Sequence, residues 1–172
     1  MRTITPTFAL ALVLLLTAGS IASADWQYTH WGMTVEEVIA ASAVSGTGVT
    51  DLRRVERPSP DRGVKGDPDA PKTLLRGMFA AGRLRLRVNF LFREGRLAMV
   101  SLVAEDEVQG AELERSVRAK YGTPTREERG DSPETTWRNE AGNVEIGLGR
   151  VDVMHWTVVS YRPLKTAETD RL

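Results

Sequence analysis

The stretch Leu84-Arg85-Leu86-Arg87-Val88-Asn89-Phe90-Leu91-Phe92-Arg93 decides the architecture. Leu84, Leu86, Val88, Phe90 and Phe92 recur every second residue, with Arg85, Arg87 and Asn89 between them. A period of two sends successive side chains to opposite faces of a strand, so the run predicts a half-buried antiparallel strand with one apolar and one basic face. Ala81-Gly82 before it and Glu94-Gly95 after it read as tight hairpin turns, glycine supplying the positive φ. Centring the second turn on Glu94-Gly95 pairs Phe92 with Leu97, Phe90 with Met99 and Val88 with Ser101, which makes one face apolar throughout. The same register sets Leu91 beside Ala98, Asn89 beside Val100 and Arg87 beside Leu102 on the other face.

Upstream, Thr34 and Glu37 form a capping box that opens a helix, with Met33 and Val38 at the staple positions and the helix fading near Ala43. Residues 44–71 scatter Gly46, Gly48, Pro58, Pro60, Gly63, Gly66, Pro68 and Pro71 among charges, which predicts a long surface loop with one helical turn around 51–57. Downstream, Glu105-Asp106-Glu107 suits a helix N-terminus, and Leu113, Val117 and Tyr121 follow at intervals of four, with Glu114 set to pair with Arg118. Gly122 and Thr123-Pro124 end that helix. A turn at Ala141-Gly142 opposes Trp137 to Ile146 and Arg138 to Glu145, and a last strand over 154–161 ends at Arg162-Pro163. The sum is an α+β fold of order α-loop-βββ-α-βββ: two helix-plus-antiparallel-meander halves, with the helices packed on one face of an antiparallel sheet. Residues 25–163 form a single domain, and 164–172 a polar tail.

The beginning of the chain sets the expected compartment. Arg2, an apolar core from Phe8 to Leu16, and Ala22-Ser23-Ala24 before Asp25 are the three parts of a cleavable secretory signal over residues 1–24. The apolar core is too short to span a bilayer. Cysteine is absent, which excludes disulfides, thiolate metal sites and lipid attachment through a cysteine, so no stable membrane anchor is expected. An exported domain without disulfides suits a bacterial periplasm, and secretion to the medium is the other destination. Lys and Arg total 23, as do Asp and Glu, and loss of Arg2 with the signal leaves the charge near neutrality, which argues against nucleic acid as a partner.

The run Trp31-Gly32-Met33-Thr34-Val35-Glu36-Glu37-Val38 resembles the Gly-Met-x-x-x-Glu-Val signature of outer-membrane assembly lipoprotein (SmpA/OmlA) domains. The tandem halves are similar to beta-lactamase-inhibitor-protein-like folds, whose two helix-plus-sheet repeats form a concave surface that grips another protein. The resemblance implies a small bacterial envelope module that binds a protein partner. The chain departs from the lipoprotein group in lacking the anchoring cysteine, and in carrying a Gly/Pro-rich loop where those domains have a short helix-turn-helix.

Chemistry-bearing motifs are sparse. His30 and His155 stand at no metal-binding spacing, and both read as strand residues with satisfied hydrogen bonds. Asp152, His155 and Ser160 could begin a triad only if space brought them together, and no Gly-x-Ser-x-Gly turn or phosphate-binding glycine loop accompanies them. Asp67-Pro68-Asp69 reads as a turn before it reads as a metal site. The expectation is a non-enzymatic monomer without cofactor or metal, a hydrolase being the least favoured reading. The sheet face bearing Arg85, Arg87, Asn89, Leu91, Val100 and Leu102 mixes arginine with aliphatic side chains as protein interfaces do, and it is the predicted surface for an unknown protein partner in the cell envelope. The alternative is a small-ligand carrier or sensor with a pocket between helix and sheet near Trp26, Tyr28, Trp31 and Trp137.

Overall fold

The computed structural model describes residues 26–44, 48–58, 69–128 and 133–164. The signal expected over residues 1–24, Asp67 and residues 165–172 lie outside the described residues, as does much of the 44–71 segment. In chain order the elements are α1 (Val35–Ser42), β1 (Val49–Arg54), β2 (Lys72–Ala81), β3 (Leu84–Arg93), β4 (Arg96–Ala104), α2 (Glu107–Tyr121), β5 (Arg126–Glu128), β6 (Glu134–Asn139), β7 (Val144–Val151), a 3₁₀ turn (Asp152–Met154) and β8 (Trp156–Pro163). All eight strands join one antiparallel sheet in the order β1-β2-β3-β4-β8-β7-β6-β5.

This corrects the expected α-loop-βββ-α-βββ arrangement. The described residues form mostly one eight-stranded antiparallel sheet with two helices, and four described strands follow each helix instead of three. Two strands escape the sequence pattern for different reasons. In β1 the pairing with β2 shifts between Thr50 and Arg53, where Asp51 adopts a φ of 53°, so the bulge destroys the alternation of Val-Thr-Asp-Leu-Arg-Arg. In β5 all three residues are charged and exposed, and the strand exists only because the edge of β6 offers it hydrogen bonds.

The helix starts follow their local chemistry. Thr34 Oγ1 accepts from the Glu37 amide at 3.2 Å while the Glu37 carboxylate accepts from the Thr34 amide at 2.7 Å, completing the capping box. The bond from the Thr34 amide, with a second from the Thr34 hydroxyl at 3.0 Å, holds the Glu37 carboxyl below the usual range. Asp106 caps α2 by accepting from the Gln109 amide at 2.8 Å, and Gly122, at a φ of 70°, ends that helix. The Glu114–Arg118 pair forms at 3.1 Å.

Both helices bury their apolar stripes on the same sheet face. Val35 and Val38 of α1 and Leu113 and Val117 of α2 share one core with Leu86, Val88 and Phe90 of β3, Val100 and Leu102 of β4, and Ile146 and Val159 beyond. The segment before α1 closes this core. A tight turn holds Thr29 Oγ1 to the Trp26 carbonyl at 2.8 Å, and Gly32 and Met33 bond to the backbone of Leu97. Trp26 thereby wedges edge-on against Phe79 and Phe90, with ring centroids 5.6 Å from each, and only 5% of its surface stays exposed. No helix among the described residues is long and apolar enough to cross a membrane.

Candidate functional site

The β3–β4 register determines which side chains share the face opposite the helices. Phe92 opposes Leu97 as expected from the turn, but the pairing then shifts between Leu91 and Phe92. Ala98 is the extra residue, so Leu91 opposes Met99, Phe90 opposes Val100, Asn89 opposes Ser101, Val88 opposes Leu102 and Arg87 opposes Val103. A one-residue slip sends every later side chain to the other face. Val100 and Leu102 therefore leave the predicted surface and enter the helix-side core, where they are 0% and 3% exposed. Arg85, Arg87, Asn89 and Leu91 stay on the open face, and the sequence pairing missed their true neighbours Met99, Ser101 and Val103. Leu91, Asn89, Met99, Ser101 and Val103 are themselves buried, so the accessible part of the face lies around Arg85, Arg53 and Met78.

The open face is built from polar groups tied to one another. Arg76 Nε donates to Asn89 Oδ1 at 3.0 Å, and Asn89 Nδ2 donates to Ser101 Oγ at 3.2 Å, a chain across β2, β3 and β4. Arg87 pairs with Glu105 and lies 4.7 Å over the Trp156 ring. Arg162 donates to Glu145 at 2.6 Å on the far side of the sheet. One register row crosses four strands as Met78, Arg87, Val103 and Val158, an apolar row interrupted by a stacked arginine. Charge is divided along the chain: residues 25–104 hold twelve basic against nine acidic side chains, and residues 105–172 ten against fourteen.

A second feature lies on the helix side. A cavity of about 330 Å³ runs beneath α2, at the lower end of the range for ligand pockets. Aliphatic side chains of Leu84, Leu86, Leu102, Leu113 and Val117 line one part of it, and Lys120, Tyr121, Asn139 and Tyr161 another. Trp26 contributes to the wall, but Tyr28, Trp31 and Trp137 of the sequence expectation do not line it. Trp137 is core, donating Nε1–H to the Gly122 carbonyl at 2.9 Å, and Trp31 Nε1–H reaches the Asn143 carbonyl at 3.3 Å. Burial pushes the Tyr161 hydroxyl well above the usual phenol range, and the neighbouring Tyr121 adds to the effect. Burial likewise pushes the Tyr28 hydroxyl up to about 12, with Ser42 beside it opposing the shift. The polar end of the cavity was not legible in the sequence because its residues come from α2, the end of β6 and β8, which only the closed sheet brings together.

Neither histidine is a strand residue, which corrects that expectation. His30 lies in the segment before α1, and His155 occupies the turn before β8 at a φ of 53°, with Nδ1 3.2 Å from Glu107 Oε1. The hairpin apex displaces the start of β8 to Trp156, so His155 faces solvent beside α2. Ser160 Oγ donates to the Gly147 carbonyl at 3.4 Å instead of meeting His155. Among the described residues, no three His, Asp or Glu side chains gather as a metal site would require. No family model matches the chain, and no curated protein or solved structure matches it.

Proposed function

We propose that this protein is a non-enzymatic, exported envelope module that docks a folded protein partner on the open face of its sheet. The exposed Met78 beside Arg87, with Trp156 stacked under Arg87, carries the reading. Arginine, methionine and tryptophan are the residue types that interface centres favour over ordinary surface. The basic excess of the first half indicates a partner with an acidic rim around an apolar centre. Strand addition at the edges is opposed by the fold itself, since β1 carries a bulge and two arginines and β5 is short and wholly charged. A periplasmic location is the reading of the signal expected over residues 1–24.

Site-specific photocrosslinking in cells tests it. A photoreactive residue at Met78 is expected to yield one discrete adduct, lost when Arg85→Glu is added, while the same residue at Arg115 on the helix side yields none. Equal adducts from both positions, or none from Met78, would overturn the proposal. A second reading, a carrier of a small ligand, is favoured by one observation, the cavity under α2.

A further inference from the structure

The cavity beneath α2 has a direction. At one part its wall is made of leucines and a valine from β3, β4 and the middle of α2, and Gln109 fastens this end by accepting from the Arg85 amide at 2.9 Å. At the other part stand Lys120 in the last turn of α2, the Asn139 amide and the paired phenols of Tyr121 and Tyr161. Lys120 is the one charged side chain among the described lining residues, and it forms no ion pair with any described residue. Its ammonium sits 5.0 Å over the Tyr121 ring. Asn139 already uses Oδ1 to accept from the Gly142 amide at 3.2 Å, which leaves its NH₂ group as the part able to donate.

An apolar trough ending in a cation and neutral donors selects a ligand by both ends. The trough takes an aliphatic body, and the polar end offers donors without a competing carboxylate. We propose that the cavity binds an aliphatic carboxylate, its chain beneath α2 and its head at Lys120. The inference rests on the small-ligand reading and adds the class of ligand to it. The negative end of the α2 dipole lies at the same place, so without Lys120 a carboxylate would meet an unfavourable field.

Three ten-carbon probes separate the possibilities: decanoate, decanol and decyltrimethylammonium, titrated into the signal-free protein by calorimetry. Decanoate is expected to bind one per chain, about tenfold tighter than decanol, the size of one charge-assisted hydrogen bond, with the ammonium weakest. Lys120→Glu, an exposed substitution that leaves the core intact, should abolish this preference while the melting temperature holds. Ser116→Phe, which fills the cavity from α2, should remove binding of all three. Equal binding of the three probes, or a decanoate affinity unmoved by Lys120→Glu, would overturn the ligand class and leave the pocket reading standing. Absence of saturable binding by any probe would overturn both.

Discussion

The two faces of the sheet are made by the same strands and held in different ways. On the helix side, Val88, Phe90, Val100 and Ile146 lose nearly all contact with water, and burial at about 25 cal/mol per Å² supplies the stabilisation. On the open side, Arg76, Asn89 and Ser101 form a hydrogen-bonded chain, and Arg87 divides itself between Glu105 and Trp156. A helix side of this kind tolerates no charge, whereas an open side of paired polar groups tolerates exchange wherever a side chain reaches solvent. The difference between the faces is set by one residue, the bulged Ala98, because it decides which of Val100 and Ser101 points inward.

The largest effect should therefore come from Val100→Glu. An unpaired carboxylate in the core costs more than about 4 kcal/mol, and the variant should be unfolded or nearly so in urea titrations, while Arg85→Glu on the open side stays within about 0.5 kcal/mol of the parent. A folded, parent-like Val100→Glu protein would move Val100 to the open side and abolish the bulge. Next, Trp137→Ala removes a fully enclosed indole and its bond to Gly122, and it should cost about 3–5 kcal/mol in the same titration. Asn89→Ala strands Ser101 and frees Arg76, which should cost about 1–2 kcal/mol, and an unchanged midpoint would show the polar chain contributes nothing to the fold.

The smallest effect is a change in acid sensitivity. Burial alone would raise the Glu114 carboxyl, but hydrogen bonds from Arg150 and Arg118 outweigh it and hold the group below the usual 4.5. Its contribution is then fully present above the unfolded value and disappears as pH falls through the lower folded value. Glu114→Gln should flatten the loss of stability below about pH 4.5 and leave its shape above that pH unchanged.

Much of the frame was legible before any coordinates. Thr34 and Glu37 announced their capping box, Gly122 its helix stop, and the Trp137–Ile146 and Arg138–Glu145 pairs their register, because each depends on residues within a few positions or on a short turn. The strand count and a third of the predicted surface, Val100 and Leu102, were not legible, for a common reason. A bulge adds a residue without changing composition, so Asp51 hid β1 and Ala98 carried Val100 and Leu102 to the wrong face. The strand β5 has no apolar residue to reveal it, and the cavity depends on contacts between segments far apart in the chain.

Trp26 carries one further consequence, should the chain be cut at the cleavage site expected after Ala24. A processing protease draws several residues on each side of the bond it cuts into an extended conformation, and Trp26 lies two positions beyond Ala24. With its indole clasped by Phe79, Phe90 and Tyr161, that extension requires the indole to leave its seat, a rare opening in a finished domain. For a chain cut after Ala24, cleavage is then expected to come before the indole of Trp26 is seated.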